Sequence, residues 1–318
     1  MNRALRFLGL LLGLAVLAWL VLHSDIAALR AAFEHIGWGF VLILLVRAAT
    51  VAVNAAAWAV LLPRRARPSF ATMLPLKWIG ESINTTLPAA QIGGDVVRAQ
   101  LLQRRVKAPA RGAASVAVDF FLSFFAQILF TLLGFVLLAR LGDREGWWWA
   151  ALSAAAAAGF ALVCWELLVR RRLLMAFVRS ARRLGQQRLA GALTALGEAL
   201  RLVVDSRAAL AAALFLHVAG YLAHAAEVWL TLYLMGAATG FAAAALLESL
   251  SLAARSAAFL IPSGWGAQEA SLIALASLAG LSPETALALG LVKRAREFAI
   301  GLPGLAAWAI LEWRRPRP

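Results

Sequence analysis

The chain has 318 residues, of which 63% are hydrophobic, and its formal net charge is +15. Its mean hydropathy of +0.80 excludes an ordinary soluble domain and indicates a polytopic membrane protein. The basic excess does not indicate nucleic-acid binding, because the arginines cluster between apolar segments, as in loops that face an anionic leaflet. We therefore expect one all-α membrane domain over residues 1–318, without a separate catalytic domain.

The first half of the chain, residues 1–145, begins with an apolar run at residues 7–22 that follows two arginines. No small-residue cleavage pattern follows this run, so we expect an uncleaved first span with its N-terminus inside. Residues 25–37 carry mixed charges and are expected to form a short outer loop. Residues 38–62 predict the second span.

Residues 70–105 are less apolar and have basic residues near both ends. Both ends should therefore lie on the cytoplasmic side, which predicts a re-entrant hairpin. We place its turn between Pro88 and Gly94, because proline and glycine interrupt helices. Such breaks are tolerated at membrane depth only where the backbone faces protein or a water-filled cavity.

Residues 113–139 and 147–169 predict the third and fourth spans. The segment 170–207 is dense in arginine and has apolar residues spaced for one helical face. Two interpretations fit this pattern: an amphipathic helix or helix pair on the cytoplasmic leaflet, or a solvated connecting helix.

The second half, residues 208–318, predicts a fifth span at 208–235, a second broken element at 241–282 and a last span at 285–311. A basic tail follows the last span and places the C-terminus inside. In total we expect about six full spans and two re-entrant hairpins that enter from opposite faces, as an inverted repeat requires.

The two broken elements share one layout. Each has a charged residue, a proline and an acid at intervals of seven positions: Glu81, Pro88 and Asp95 in the first, and Arg255, Pro262 and Glu269 in the second. Interrupted segments at corresponding positions of two halves indicate the binding site of a transporter. The predicted substrate site comprises Glu81, Asn84, Pro88, Gln91, Gly93, Gly94, Asp95, Arg98, Arg255, Pro262, Gly264, Gly266, Gln268, Glu269, Lys293, Arg294, Arg296 and Glu297.

Each charge at membrane depth costs ~3 kcal/mol on insertion scales, so the cations of this set need partners. Their presence can be interpreted in two compatible ways. One is ion pairing that holds the broken helices, with partners Glu81, Asp95, Glu269 and Glu297. The other is binding of a lipid phosphate or carboxylate, for which the planar fork of arginine is suited; the candidates are Arg98, Arg255, Arg294 and Arg296. Free N–H groups at the helix starts after Pro88 and Pro262 would add donors for an anion.

Other polar residues also lie within apolar segments: Arg47, Asn54, Asp119, Gln127, His217, His224, Glu227 and Glu248. The set His217, His224 and Glu227 has three interpretations: a metal site, a proton relay, or a hydrogen-bonded structural set. Three ligands on one helix make a poor closed metal site, so we expect no metal and no cofactor.

The residues at 81–84, 87–98, 262–269 and 293–297 resemble the membrane region of lysylphosphatidylglycerol synthases, also called the flippase-like domain family. The likeness is greatest to its hopanoid-biosynthesis-associated branch. It implies a bacterial inner-membrane protein of lipid metabolism, with membrane lipids as ligands. Family members with a soluble aminoacyl-transfer domain make and flip an aminoacylated lipid; the present sequence has no such domain, so we expect no enzyme activity.

We therefore expect a lipid flippase or transporter that handles an anionic or polar-headed lipid, with both termini cytoplasmic. No phosphate-binding loop of the G-x-x-x-x-G-K-[ST] type is present, which indicates passive or ion-coupled movement. One alternative is a membrane-embedded lipid-modifying transferase with Asp95 or Glu269 as base. The other is a non-catalytic partner that anchors lipid-synthesis enzymes through residues 170–207.

Overall fold

The computed structural model describes residues 26–63, 67–86, 93–106, 109–141, 145–164, 166, 172–237, 239–258 and 266–313. Within these ranges the chain is all-α, as predicted, and forms twelve α-helices. They are α1 (Ile26–Ile36), α2 (Gly39–Val60), α3 (Phe70–Thr86), α4 (Gly93–Gln103), α5 (Pro109–Leu141), α6 (Glu145–Cys164), α7 (Arg172–Arg183), α8 (Gln187–Val204), α9 (Arg207–Leu234), α10 (Phe241–Ala257), α11 (Ala267–Ala276) and α12 (Pro283–Trp313). A 3₁₀ turn, Ser277–Ala279, follows α11.

Three of the described helices, α2, α5 and α9, are long and apolar enough to cross a membrane. They have 22, 33 and 28 residues. At a rise of ~1.5 Å per residue, each spans the ~30 Å hydrocarbon core. The expectation of an all-α polytopic membrane protein is therefore confirmed. The total of six full spans stays a prediction, and the first of them, at residues 7–22, lies outside the described residues.

The prediction of a short loop at residues 25–37 was wrong, because Ile26–Ile36 forms helix α1. The mixed charges that suggested a loop lie one helical turn apart, and Arg30 Nε donates to Glu34 Oε1 at 2.7 Å. An acid and a base at this spacing stabilise a helix, and alanine and leucine are strong helix formers.

The first broken element is a helical hairpin. Helix α3 ends at Thr86 and α4 begins at Gly93, while Pro88 and Gln91 lie outside the described residues. Near the turn, the backbone N–H of Gly94 donates to Asn84 Oδ1 at 2.7 Å. Helix α4 has 11 residues, about 16 Å at ~1.5 Å each, or half of the hydrocarbon core.

The second broken element has the same form. Helix α10 ends at Ala257 and α11 begins at Ala267, while Pro262 and Gly264 lie outside the described residues. Arg255 Nη1 donates to Gln268 Oε1 at 3.4 Å across the break. Helix α11 has 10 residues and is also too short to cross a bilayer. Most of the turn predicted between Pro88 and Gly94 lies outside the described residues, and its last two positions, Gly93 and Gly94, belong to α4. The faces of entry, the inverted repeat and the division into halves stay predictions.

The arginine-rich segment forms a helix pair, α7 and α8, as one of its two interpretations expected. Val178 and Ala181 of α7 pack on Ala190 of α8. Helix α8 in turn packs its Leu200 against Val118 of α5. The pair is thus attached to the bundle through one face of α8. Its position on a leaflet stays a prediction.

Helix α12 lies against α3 at a site of small residues. A Cβ atom added at Gly304 would lie 2.0 Å from Ser82 Oγ, and Trp78 Nε1 donates to the backbone oxygen of Ile300 at 3.0 Å. Small residues allow close approach of helices in membranes, where apolar burial does not drive their association. This contact holds the charged middle of α12 next to the first hairpin.

Replacement of Gly94 by alanine should destabilise the protein. A Cβ atom at Gly94 would lie 1.9 Å from the backbone oxygen of Gly80, so the hairpin itself must open. We expect Gly94→Ala to cost about 1–3 kcal/mol, the usual range for overpacking, measured as a lower midpoint of thermal unfolding in detergent. The matched control is Gly159→Ala on α6, where no atom lies within 4 Å; it should unfold at the wild-type temperature or above. Equal midpoints for both variants would contradict the close packing of α3 on α4.

Candidate functional site

Fourteen charged side chains in the described ranges pair with one another inside the helical bundle. They form two groups that we call the first and the second cluster. The first cluster is Arg47, Lys77, Glu81, Asp95, Arg98 and Asp119. The second cluster is Glu227, Glu248, Arg255, Glu269, Lys293, Arg294, Arg296 and Glu297. Each cluster has as many basic as acidic members, so neither places a net formal charge in the apolar interior.

Asp119 is the centre of the first cluster. Its Oδ2 accepts from Lys77 Nζ at 3.1 Å and from Arg98 Nη1 at 2.7 Å. Its Oδ1 accepts from His217 Nε2 at 2.9 Å. One carboxylate thus joins α3, α4, α5 and α9. Its side chain is only 1% exposed, and a buried charge of this kind is stable only when it is paired and hydrogen-bonded.

Arg98 connects Asp119 to the turn of the first hairpin. Its Nη2 donates to Asp95 Oδ1 at 2.7 Å, and its guanidinium lies 4.5 Å from the centroid of the Trp58 ring. Asp95 Oδ2 accepts from Asn84 Nδ2 at 3.1 Å. The Asn84 side-chain oxygen also accepts from the backbone N–H of Gly94. Both ends of this amide on α3 are therefore bound to the first turn of α4.

Glu81 is held by two residues of α2. Its carboxylate accepts from Arg47 Nη2 at 3.3 Å and from Asn54 Nδ2 at 3.1 Å. The spacing of seven between Arg47 and Asn54 predicted one helical face, and their common partner confirms it.

A polar cavity of about 300 Å³ lies beside the first hairpin. Its lining residues come mainly from α3, α4 and α5, with one each from α2, α9 and α10: Asn54, Lys77, Gly80, Glu81, Asn84, Asp95, Arg98, Asp119, Phe120, Ser123, Phe124, Gln127, Tyr221 and Ser256. The side chains of Glu81 and Asp95 are each 20% exposed, whereas those of Lys77 and Arg98 are 9% and 1% exposed. Among these lining side chains, the two carboxylates are therefore more accessible than the two cations. At this volume the cavity accommodates a small headgroup.

The second cluster ties the second hairpin to α12. Arg294 donates to Glu269 Oε1 at 2.7 Å and to Glu297 Oε2 at 2.9 Å. Glu269 Oε2 also accepts from the backbone N–H of Gly266 at 2.8 Å, at the start of α11. Arg255 at the end of α10 donates to Glu297. Both sides of the break are thereby bound to one helix.

Two more pairs of the second cluster join α12 to α9 and α10. Lys293 donates to Glu248, and Arg296 Nη1 donates to Glu227 Oε1 at 2.5 Å. Four charged groups, Lys293, Arg294, Arg296 and Glu297, thus lie within five residues of α12, and each of the three cations contacts a carboxylate.

His224 lies between the two clusters. It accepts from Arg47 Nη1 at 2.9 Å through Nε2, and its Nδ1 lies 3.7 Å from Glu248 Oε1. A cavity of about 20 Å³, the size of a single water molecule, is lined by members of both clusters, among them Glu81 and Arg296. The two hairpins therefore meet through one polar network.

The structure brings the described residues of the predicted site together in two places. Glu81, Asn84, Gly93, Gly94, Asp95 and Arg98 belong to the first hairpin, and Arg255, Gly266, Gln268, Glu269, Lys293, Arg294, Arg296 and Glu297 to the second hairpin and α12. The predicted residues Pro88, Gln91, Pro262 and Gly264 lie outside the described residues. Ion pairing, the first of the two interpretations of the arginines, is what these contacts show.

The helix starts are less open to a ligand than expected. The backbone N–H of Gly94 is bound by Asn84, and that of Gly266 by Glu269. At these two positions an internal acceptor occupies the donor that an external anion would need.

Several residues of the clusters were absent from the predicted site. Asp119 is the most central of them, and the available signal was its position as the sole acid of a 33-residue apolar helix. Lys77, which also binds Asp119, is likewise absent from the predicted site. His217 and Glu227, which could have shared a ligand, contact different partners: His217 binds Asp119 and Glu227 binds Arg296. Among the described residues, no group of three metal-ligating side chains occurs.

Residues 6–304 match the model of the family described as "Lysylphosphatidylglycerol synthase TM region". No match is found among curated proteins or among solved structures.

Asp119→Asn should be among the most destabilising isosteric changes in the protein. It keeps the shape of the side chain but removes the charge opposite Lys77 and Arg98, and breaking a buried pair costs roughly 3–5 kcal/mol. The control is Asp205→Asn, because Asp205 pairs with Arg201 on the surface, where its side chain is 64% exposed and a pair contributes about 0–1 kcal/mol. Thermal unfolding in detergent should separate the two variants clearly. A similar midpoint for both would mean that the first cluster does not hold the hairpin.

The buried pair Glu248–Lys293 should show strong coupling in a double-mutant cycle. Glu248→Gln or Lys293→Met alone leaves one charge unpaired, whereas both together leave none. We expect the double variant to lose less free energy of unfolding than the two single variants combined, with a coupling of roughly 0.5–3 kcal/mol. If the loss in free energy of unfolding of the double variant equalled the sum of the losses of the two single variants, the pairing would be disproved.

Proposed function

The chain belongs to the lysylphosphatidylglycerol synthase TM region family, and we propose that it moves a polar-headed lipid between the leaflets of a bacterial inner membrane. Both termini are cytoplasmic in this proposal. The observation that carries it is the charge-lined cavity of about 300 Å³ beside the break between α3 and α4. A polar space next to interrupted helices is where membrane transporters bind their substrates.

We propose that the headgroup carries an amine rather than only negative charge. An entering headgroup meets the carboxylates of Glu81 and Asp95 before the more deeply buried Lys77 and Arg98. An amine gains charge-assisted hydrogen bonds there. A phosphate alone would first have to displace a carboxylate from Arg98. Of the anionic and polar-headed lipids expected from the sequence, the polar-headed class with an amine fits the cavity better.

The first cluster can release one partner without leaving a charge unpaired. Arg98 donates to both Asp95 and Asp119, and Asp119 also binds Lys77. An amine that takes Asp95 from Arg98 leaves the arginine paired with Asp119. Because an unpaired buried charge is the main cost at this depth, such an exchange of partners lowers the barrier to headgroup entry and exit.

The proposed movement makes and breaks no covalent bond and is passive or coupled to an ion. For proton coupling, His217 and His224 are the candidates, since the first contacts Asp119 and the second lies between the clusters. A link to hopanoid metabolism is a narrower hypothesis. Mass spectrometry of lipids that co-purify with the protein tests it directly.

One observation favours a second function, the anchoring of lipid-synthesis enzymes. Helix α7 and the turn after it expose Phe177 and Leu184, and Arg179 and Arg183 are exposed in the same segment. A short segment with exposed apolar and basic side chains suits a partner protein. Co-purification that survives Glu81→Gln but fails without α7 would favour this function. The transferase alternative has less support, because both of its proposed bases, Asp95 and Glu269, are held in ion pairs.

Leaflet exchange should depend on Glu81. We expect liposomes containing the protein to expose labelled phosphatidylethanolamine to dithionite faster than protein-free liposomes. Glu81→Gln should slow this exchange about tenfold, the effect of one charge-assisted hydrogen bond worth ~1.4 kcal/mol.

The matched control for this assay is Glu198→Gln, because Glu198 is exposed on α8 and lies outside both clusters. It should exchange lipid at the wild-type rate. Thermal unfolding of each variant separates loss of exchange from loss of fold. If wild-type protein and protein-free liposomes exchange lipid equally fast, transport of this lipid is ruled out.

A further inference from the structure

A second cavity, of about 310 Å³, adjoins the polar cavity and has mainly apolar walls. We call it the apolar groove; it lies between α5, α6 and α10, and its walls include Ile128, Thr131, Phe135, Leu152, Ala156 and Ala253. Phe124, Gln127 and Ser256 line both the groove and the polar cavity. The two spaces therefore meet at these three side chains.

We propose that the apolar groove holds one acyl chain of the lipid whose headgroup lies in the polar cavity, and that Gln127 and Ser256 bind the linkage between headgroup and chain. This inference rests on the proposed function. It adds a second subsite and names the chemistry that the site recognises between the two, namely an ester or similar uncharged polar linkage.

The order of side chains along the two spaces matches the order of groups in a membrane lipid. Charged side chains, among them Glu81 and Asp95, line the polar cavity but not the groove. Uncharged polar groups follow where the cavities meet, and there Gln127 Nε2 donates to Ser256 Oγ at 2.5 Å. Apolar residues then line the groove. A lipid has a charged headgroup, an uncharged linkage and an apolar chain in the same sequence.

The polar groups at the junction are suited to an exchange of partners. Tyr221 donates to the backbone oxygen of Ser123 at 3.2 Å and lies 3.5 Å from Gln127 Oε1. The Gln127 amide thus has a donor side bound to Ser256 and an acceptor side only weakly bound. An ester carbonyl can replace Ser256 as acceptor, and the serine hydroxyl can then donate to the same linkage.

The groove can select a lipid chain by its shape, but burial of the chain there adds little to the free energy of binding. A lipid chain in a bilayer is already in an apolar medium, so its transfer into the groove gains little from the hydrophobic effect. Retention must come from the headgroup and the linkage. A simple hydrocarbon, which has neither, should therefore compete poorly for the groove, and this distinguishes a lipid subsite from a surface that bulk lipid merely covers.

The test is photolabelling of the full chain in nanodiscs of phosphatidylethanolamine and phosphatidylglycerol. A small fraction of the phosphatidylethanolamine carries a diazirine in one acyl chain, and labelled peptides are mapped by mass spectrometry. Ala156→Trp fills the groove from α6, while Ala155→Trp, at an exposed position outside the lining, is the control. We expect labelling of the α5 part of the groove to fall severalfold in Ala156→Trp and to stay unchanged in Ala155→Trp.

Competition completes the experiment. At a fixed amount of probe, raising the share of unlabelled phosphatidylethanolamine over phosphatidylglycerol should reduce groove labelling of the wild type. Added hexadecane should not reduce it, and Gln127→Leu should weaken the competition by phosphatidylethanolamine. Equal labelling of the two tryptophan variants, or equal competition by hexadecane, would overturn the inference. Specific groove labelling without leaflet exchange would disprove the proposed transport but support the acyl-chain subsite. Leaflet exchange without specific groove labelling would support the transport but disprove the subsite.

Discussion

The pairing of Asp119 with Lys77 and Arg98 is the interaction on which the polar cavity depends. A charge inside an apolar bundle is stable only if an opposite charge and hydrogen bonds replace the water it has lost. By binding residues of α3, α4 and α9, this carboxylate fixes three helices around α5. Glu269 has the same role for the second hairpin, where it joins Gly266 to Arg294.

The broken helices follow the same rule at their ends. A helix that stops inside a bundle leaves backbone donors and acceptors without water, and these need internal partners. Asn84 supplies one at the start of α4, and Glu269 supplies one at the start of α11. The side chains that complete the hairpins are thus also members of the candidate site, so that stability and ligand binding draw on the same groups.

Most of the helical architecture could be predicted because its determinants are local. Apolar runs of about 20 residues predict spans, and proline with glycine predicts breaks. Helix α1 was not predicted, because the mixed charges in this segment were taken to indicate a loop. In the structure, Arg30 and Glu34 instead stabilise one helical turn. Glu81 and Arg255, named in the predicted site, are members of the two clusters, but Asp119, the centre of the first cluster, was not included.

The sequence by itself determined the class of the protein, the positions of its apolar helices and breaks, and the set of charged residues that must be buried. Only the tertiary structure decided which charge meets which, because ion pairs form between residues distant in the chain, as Arg47 with Glu81 and Arg296 with Glu227 do. The packing also decided that Glu81 and Asp95 stay partly exposed at the polar cavity while Lys77 and Arg98 are buried. Side-chain exposure depends on neighbouring helices, and no spacing along one helix encodes it.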